Sequence, residues 1–305
     1  MKVSTSLFFE RASQQMIRSQ SRLTEVQMQL ATGKRINNAS EAPEQASTLQ
    51  RLRSIITQQE SYRDNLSTVT ERLENQDASL RNVSNMLTRM RELGIQYSNG
   101  TLSAEQRRIA AIEVRGIRDQ LLSLANSRDT NGLGLFSGSR VEKNAFDTEG
   151  IYRGDQTSND IPVGDARLVS NRRTGSDVFA SIVRNPDSED EARAVGFFQV
   201  IDDIASALDN NEEAQVQRGI SEVTQLHQGI SLALADIGSD LNVVASQSAV
   251  IDEQLIRFKS LQSDMQDVDY SEAVTRMQKE MLSLEAAQSS FAQISRLSLF
   301  NYLGG

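Results

Sequence analysis

The strongest constraint on this fold is an apolar repeat in the last third of the chain. Apolar side chains recur there every seven residues, with seven matches in succession. They are Val223, Ile230, Ile237, Val244, Ile251, Phe258 and Met265. A seven-residue repeat places these side chains along one side of an α-helix, where a neighbouring helix can cover them. The pattern predicts a single helix about 70 Å long.

Similar repeats predict helices elsewhere. The first covers residues 5–32 and the second about 44–97, with Gly33 suited to end the first helix and Pro43 to the first turn of the second. A third helix should follow the capping pair Ser103 and Gln106, and a last one should begin at Asp269. The rows that predict these helices are Phe9, Met16, Leu23, Leu30; Leu66, Leu73, Leu80, Leu87; and Tyr270, Met277, Leu284, Phe291.

The middle of the chain has a different pattern. Seven glycines lie between Asp129 and Ser176, among short runs of strand-forming residues. Such punctuation is typical of a small β-rich region. A return to helix is expected near residue 188, where Ser188 and Glu191 have capping spacing.

The order of helices, strands and helices predicts a mainly α protein with a β-rich insert. We expect an elongated antiparallel helical bundle or coiled coil formed by both ends of the chain, with the small β domain in the middle. Five segments follow from this interpretation: residues 1–43, 44–130, 131–187, 188–267 and 268–305.

Composition supports thin interfaces between helices and excludes several kinds of partner. Aromatic residues make up 5% of the 305 positions, and tryptophan is absent. The net charge of −9 disfavours binding to nucleic acid or to an anionic membrane. Without cysteine the chain has no disulfide and no thiol nucleophile. No secretory signal or membrane-spanning run is visible in the sequence, and export by a dedicated apparatus remains compatible with that.

Candidate catalytic and metal-binding residues are few. His227 is the only histidine, and it lies on a second row of the long helix, where leucine is expected. We interpret it as a packed histidine or one that sets the helix register, because a base or a metal ligand needs partners. The acidic clusters lack the spacing of a calcium loop, and the Gly132–Gly138 region lacks the Gly-Lys-Ser/Thr of a phosphate loop. We therefore expect no enzymatic activity, no cofactor and no metal.

The terminal helices allow two interpretations. Both carry apolar heptads, yet isolated helices of this kind are marginal in water. Residues 5–32 and 270–303 either pack on each other within one molecule or become ordered when they join neighbouring subunits. The repeat pattern does not choose between these two.

Sequence motifs at both ends resemble the flagellin family. VSTSLFFERASQQMIRSQSRLTEVQMQLATGKRINNASEAPEQA is similar to the family's amino-terminal block, and SLEAAQSSFAQISRLSLFNYL is similar to its carboxyl-terminal block. The turn at residues 39–43 departs from the more usual Asp-Asp-Pro but keeps an acidic residue and the proline. Within the family, the chain's start, its finish and the insert segments 135–139, 152–155 and 171–179 are most similar to the junction members between hook and filament.

The resemblance implies an exported extracellular protein of the bacterial flagellum. It implies a ring-like layer of copies of this chain between the hook-side junction protein and flagellin, with unfolded export aided by a flagellar chaperone. The residues expected to form the assembly interface are Leu7, Phe9, Met16, Leu23, Leu30, Met277, Leu284, Phe291, Ile294, Leu297, Leu299, Phe300 and Leu303. The alternatives are a flagellin filament subunit and a non-flagellar coiled-coil scaffold protein.

Overall fold

The computed structural model describes residues 2–37, 42–97, 103–157, 160–170, 173–184 and 193–303. Within them the chain forms seven helices and four short strands. In chain order these are α1 (Lys2–Thr32), α2 (Pro43–Tyr97), α3 (Ala104–Ala125), β1 (Asp160–Gly164), β2 (Arg167–Ser170), α4 (Gly175–Val178), β3 (Ile182–Arg184), β4 (Arg193–Val195), α5 (Phe197–Asn210), α6 (Glu213–Gln266) and α7 (Tyr270–Leu303). The prediction of a mainly α protein with a β-rich insert is confirmed.

The chain divides into two compact units. The first unit contains residues 1–58 and 254–305, and the second contains residues 59–253. Each unit contains residues from the first half and from the second half of the chain. Helices α2 and α6 each have one part in the first unit and one part in the second. The five-segment division drawn from the sequence stays a prediction.

The core of the second unit follows the heptad rows. On α2, the row from Leu66 to Leu87 is buried at every seventh position, and on α6 the row from Val223 to Ile251 is likewise buried. The inner face of α3 is buried, including Val114 and Leu121. These apolar faces exclude water, which is the main source of stability for such a bundle.

The helix ends agree with the predicted caps. The Ser103 side chain accepts from the Gln106 backbone while the Gln106 side chain accepts from the Ser103 backbone, which completes a capping box at α3. Asp269 Oδ1 accepts from the backbone N–H groups of Ser271 and Glu272 at the start of α7. Gly33, with φ of +69°, directly follows α1.

The insert holds two antiparallel strand pairs and a cluster of aromatic rings. Strand β1 pairs with β2, and β3 pairs with β4. Neighbouring ring centroids are at the usual separation of aromatic pairs, as in Phe146–Phe198 at 5.3 Å and Phe179–Phe197 at 5.2 Å. The members of the cluster are Phe136, Phe146, Tyr152, Phe179, Phe197 and Phe198.

The expected return to helix near residue 188 needs correction. Ser188 and Glu191 lie outside the described residues. Arg193–Val195 form strand β4, and α5 begins only at Phe197. The strand forms because these residues pair with Ile182–Arg184, a partner that the local sequence does not reveal.

Candidate assembly surface of the terminal helices

The end of α1 is tied to the start of α7 by backbone hydrogen bonds. Arg35 N donates to Gln266 O at 2.7 Å, and Val268 N donates to Gly33 O at 3.0 Å. The Arg35 guanidinium adds a bond to Met265 O at 2.9 Å. This short bridge fixes where the two terminal helices begin to run side by side.

Helices α1 and α7 pack in an antiparallel arrangement. Near the bridge, Val26 is buried in one cluster with Val268 and Ala273. Further along, Arg22 Nε lies 3.6 Å from Glu280 Oε2. Positions earlier on α1 thus meet positions later on α7, as an antiparallel pair requires.

Burial at this interface is shallow. Leu23 is 8% exposed, and Leu30 and Met277 are only partly buried against the Val26 cluster. Farther from the bridge, Met16, Leu284 and Phe291 are half-buried, and Leu7 is 46% exposed. Pairing α1 with α7 therefore leaves most of the described part of the predicted apolar set only partly buried.

Further apolar side chains lie exposed on the two terminal helices. They are Ile17 and Met28 on α1 and Val274, Met281 and Leu282 on α7. A monomer gains nothing from these residues in contact with water, whereas a neighbouring subunit could bury them.

The structure brings only part of the predicted set together. Leu23, Leu30 and Met277 lie in or beside the α1–α7 interface. The side chains of Phe9, Ile294, Leu297, Leu299, Phe300 and Leu303 lie outside the described part of the chain. The sequence interpretation missed Val268 and Ala273, although Val268 lies in the break between α6 and α7 and Ala273 lies in the first turn of α7.

In the second unit, a buried arginine holds the start of the insert against α2. Arg72 Nη1 lies 3.0 Å from Asp129 Oδ2, and Nη2 donates to Gly134 O at 2.6 Å. Gln76 Nε2 donates to Leu135 O at 3.1 Å. A charge at this depth is tolerated because a carboxylate and backbone carbonyls satisfy it. Sequence reasoning missed Arg72, since nothing nearby in the chain distinguishes it from a surface arginine.

A second arginine network joins β3 to α5 and α6. Arg184 lies 2.6 Å from Glu222 and 2.8 Å from Asp203. The hydrogen bonds that Arg184 donates to Glu222 raise the pKa of its guanidinium, against the opposing effect of burial. On α5, burial raises the pKa of Asp202, and the nearby Arg118 opposes that rise. These pairs position elements, and Arg184 and Asp203 also line a cavity of about 660 Å³ beside the aromatic rings.

His227 forms one polar contact across the bundle. Its Nε2 lies 3.0 Å from Ser84 Oγ, which joins α6 to α2. This distance suits a base and a nucleophile, but no described carboxylate bonds to the ring to orient it. The pair also does not line the insert's cavity of about 660 Å³, which lies among Phe146, Tyr152 and Phe179. A packed histidine that joins two helices is the simplest description.

Two searches of the described residues gave no site. No group of three or more His, Cys, Asp or Glu side chains there is arranged to hold a metal ion. Among the same residues, no helix is long and apolar enough to cross a membrane.

Comparison with known proteins gives one consistent result. The family model for the bacterial flagellin N-terminal helical region matches residues 3–141, and that for the C-terminal helical region matches residues 220–303. Together they cover nearly three quarters of the chain. The unmatched stretch contains β1 to β4, α4, α5 and the start of α6.

Individual relatives match from end to end. Flagellar hook-associated protein 3 of Salmonella typhimurium is 27% identical, with 98% of this chain and 99% of the relative covered. The protein of the same name from Escherichia coli is 28% identical over the same shares. The solved structure of flagellar hook-associated protein-3 from Legionella pneumophila covers 71% of this chain and 98% of its own, with a TM-score of 0.62 and 18% identity. That structural likeness supports the fold.

Proposed function

Since this chain belongs to the flagellin family, we propose that it is a structural junction subunit of the bacterial flagellum, between the hook-side junction protein and the flagellin filament. The observation that carries the proposal is the end-to-end match to hook-associated protein 3. Flagellin of Listeria innocua also matches from end to end, with 97% of this chain and 96% of the relative covered, but it is only 23% identical. The higher identity to hook-associated protein 3 favours the junction role over that of the filament subunit. No catalytic role is part of the proposal.

In this proposal the terminal helices complete their burial only on assembly. The support is the shallow α1–α7 interface, with Met16, Leu284 and Phe291 half-buried and Leu7 exposed. Each buried CH₂ contributes about 0.8 kcal/mol, so joining neighbours that cover these side chains favours assembly. Residues 1–43 and 268–305 are the assembly segments, residues 44–130 and 188–267 form the bundle, and residues 131–187 face outward.

The partners follow from this role. Copies of the chain form a ring-like layer, with the hook-side junction protein on one side and flagellin on the other. A flagellar export chaperone accompanies the chain, which is exported and functions outside the cell. The assembly contacts are made by the set from Leu7 to Leu30 and from Met277 to Leu303 named above.

Deleting the gene tests the proposed role. We expect hooks without filaments, with flagellin shed into the culture medium. If flagellin is missing from both cells and medium, the chain is the filament subunit. If filaments stay attached, the chain is not a required junction, and the scaffold alternative gains support.

A charged substitution tests the assembly segments. Leu23→Asp places a carboxylate in the α1–α7 interface, where a neighbour would have to bury it without a partner. We expect the variant to be secreted with a folded second unit, but not to restore filaments in the deletion strain. Ser21→Asp, at an exposed position two residues earlier on α1, is the matched control and should restore them. Restoration by Leu23→Asp would refute this part of the proposal.

A further inference from the structure

The two units of the chain have net charges of opposite sign. The first unit has 13 Lys and Arg side chains and 10 Asp and Glu side chains, which gives a net charge of +3. The second unit has 19 and 31 of them, which gives a net charge of −12. The acidic stretch 187–191 does not explain this difference, because without its four acidic residues the second unit still has a net charge of −8. The second unit is therefore strongly acidic, whereas the first is close to neutral.

Ion pairs inside the second unit do not remove its excess of negative charge. Arg81 Nε lies 2.6 Å from Asp77 Oδ2, and Arg89 Nη2 lies 2.8 Å from Glu113 Oε1. Each such pair joins one positive and one negative charge, so it leaves the net charge of the unit unchanged. Because acidic residues outnumber basic ones, some carboxylates are left to face solvent alone.

Exposed carboxylates of this kind lie on several elements of the second unit. Four of them have no ion pair and no hydrogen bond with another described residue. One lies on α2, one on α6 and two in the insert: Glu74, Asp252, Glu142 and Glu149. Since the negative charge is spread over the unit, repulsion by it does not depend on one particular contact.

The first unit has charges of both signs close together. Arg22 Nε lies 3.6 Å from Glu280 Oε2 between α1 and α7, and Arg276 Nε lies 3.6 Å from Glu272 Oε1 along α7. The exposed apolar side chains of α1 and α7 belong to this same unit. First units of two copies therefore approach each other at little electrostatic cost, and the burial of their apolar side chains favours the contact.

We propose that the second units of neighbouring copies repel one another in the ring while the first units hold the copies together, so that salt controls how firmly the junction holds. The inference rests on the proposed function, because this repulsion matters only where copies lie side by side. A large net charge of one sign opposes close association of identical bodies. The apolar contacts between first units have to exceed that repulsion.

The salt concentration sets the distance over which the second units repel. The Debye length is about 30 Å at 0.01 M salt and about 8 Å at 0.15 M. At the lower concentration, charges across much of one unit act on the next, whereas at the higher one only charges near the contact do so. Contacts between apolar side chains carry no charge and are not screened in this way. Lowering the salt concentration therefore weakens the ring.

The release of filaments at two salt concentrations tests this inference. Flagellated cells with the natural full-length chain are held at one mildly raised temperature in about 0.01 M or about 0.15 M NaCl. Hooks that have lost their filaments are counted by microscopy over time. We expect release to be about tenfold faster at the lower concentration, since electrostatic effects on association are of this size and fall with ionic strength.

Neutralising carboxylates of the second unit should reduce this salt effect. Four substitutions together change the net charge of the unit from −12 to −8. Repulsion varies as the product of the two charges, so the salt effect should fall from about tenfold to about threefold. The substitutions, made in the full-length chain in the deletion strain, are Glu74→Gln, Glu142→Gln, Glu149→Gln and Asp252→Asn.

A matched variant neutralises four exposed carboxylates of the first unit. It changes the net charge of that unit from +3 to +7, and its substitutions are Glu10→Gln, Glu25→Gln, Asp264→Asn and Glu285→Gln. Both variants bring the net charge of the whole chain from −9 to −5. We expect the first-unit variant to keep a salt effect at least as large as that of the natural chain. Circular dichroism of both purified proteins checks that they are as helical as the natural chain.

Three results would overturn the inference. Filament release by the natural chain that is equal at both salt concentrations, or faster at the higher one, would mean that the second units do not repel. An equal reduction of the salt effect by the two variants would mean that repulsion acts between whole chains and not between second units. In each case the proposed junction role would stand, because its own test is the shedding of flagellin after gene deletion.

Discussion

One heptad row on α6 has two different environments along its length. From Val223 to Ile251, inside the second unit, its members are at most 1% exposed. Phe258 and Met265 continue the same row into the first unit, where both are only half-buried. The repeat predicts which side of a helix faces its neighbours, but the number of elements packed there decides how deeply that side is buried.

The terminal helices extend this comparison. On α7, none of the four row positions from Tyr270 to Phe291 is fully buried, although the spacing is as regular as on α6. The second unit covers its rows with several helices and the insert. In the first unit, α1 and α7 pack mainly against each other. Their apolar rows are therefore only partly covered, and a neighbouring subunit could cover the rest.

Truncating a buried residue of the second unit should have the largest effect. Leu80 is fully buried on α2, so Leu80→Ala leaves a cavity. We expect the free energy of unfolding to fall by about 3 kcal/mol, within the range for buried Leu→Ala changes. Chemical denaturation of the full-length protein measures it. A loss below about 1 kcal/mol would mean that this core is as shallow as the α1–α7 interface.

Substitution at the bridge between the terminal helices should have an intermediate effect. Gly33 has φ of +69°, and a Cβ there would lie 2.9 Å from the Tyr270 hydroxyl oxygen. We expect Gly33→Ala to weaken the bridge by about 1–2 kcal/mol, because an L-residue is strained in that backbone conformation. Faster hydrogen exchange of the Arg35 and Val268 amides would report it. Unchanged exchange of both amides would contradict this account of the bridge.

A glycine-to-alanine change at an open helical position should raise the stability of the protein, whereas Gly33→Ala should lower it. Gly229→Ala adds a Cβ that meets nothing in the molecule, so we expect it to stabilise the free protein by about 0.5–1 kcal/mol. Thermal unfolding of the isolated chain measures the gain. Destabilisation would show that Gly229 has a structural role within one molecule.

Truncating the α1–α7 interface should have the smallest effect on the free protein. Leu23 is the most deeply buried of the predicted assembly residues that are described, yet it lies in a two-helix contact. We expect Leu23→Ala to lower the free energy of unfolding by less than about 1 kcal/mol, well under the usual cost in a closed core. A loss equal to that of Leu80→Ala would remove the distinction between the two regions.

The sequence predicted those parts of the fold that depend on local spacing. The row from Val223 to Ile251, the Ser103–Gln106 cap and the Asp269 cap are all recognisable within a few residues, and the structure contains them. The depth of burial was not predictable, because it depends on neighbours that are distant in the chain.

The elements missed from the sequence all depend on long-range contacts. Arg72 binds groups 57 to 63 positions away, and its own surroundings on α2 are those of a surface residue. Strand β4 exists because it pairs with β3, while Arg193 and Ala194 taken alone favour helix. Four of the clustered rings lie in irregular segments and two begin α5, so they are distant in the sequence and meet only when the insert folds. The contacts of the candidate assembly residues with other subunits stay a prediction.

The most direct test of the central claim is amide hydrogen exchange along the free, full-length protein. If α1 and α7 complete their burial only in the assembled flagellum, their amides should exchange through local opening, far faster than those of Val223 to Ile251 on α6. Protection of the α1 and α7 amides equal to that of this stretch of α6 would contradict the account, because the terminal helices would then form a complete fold without any neighbour.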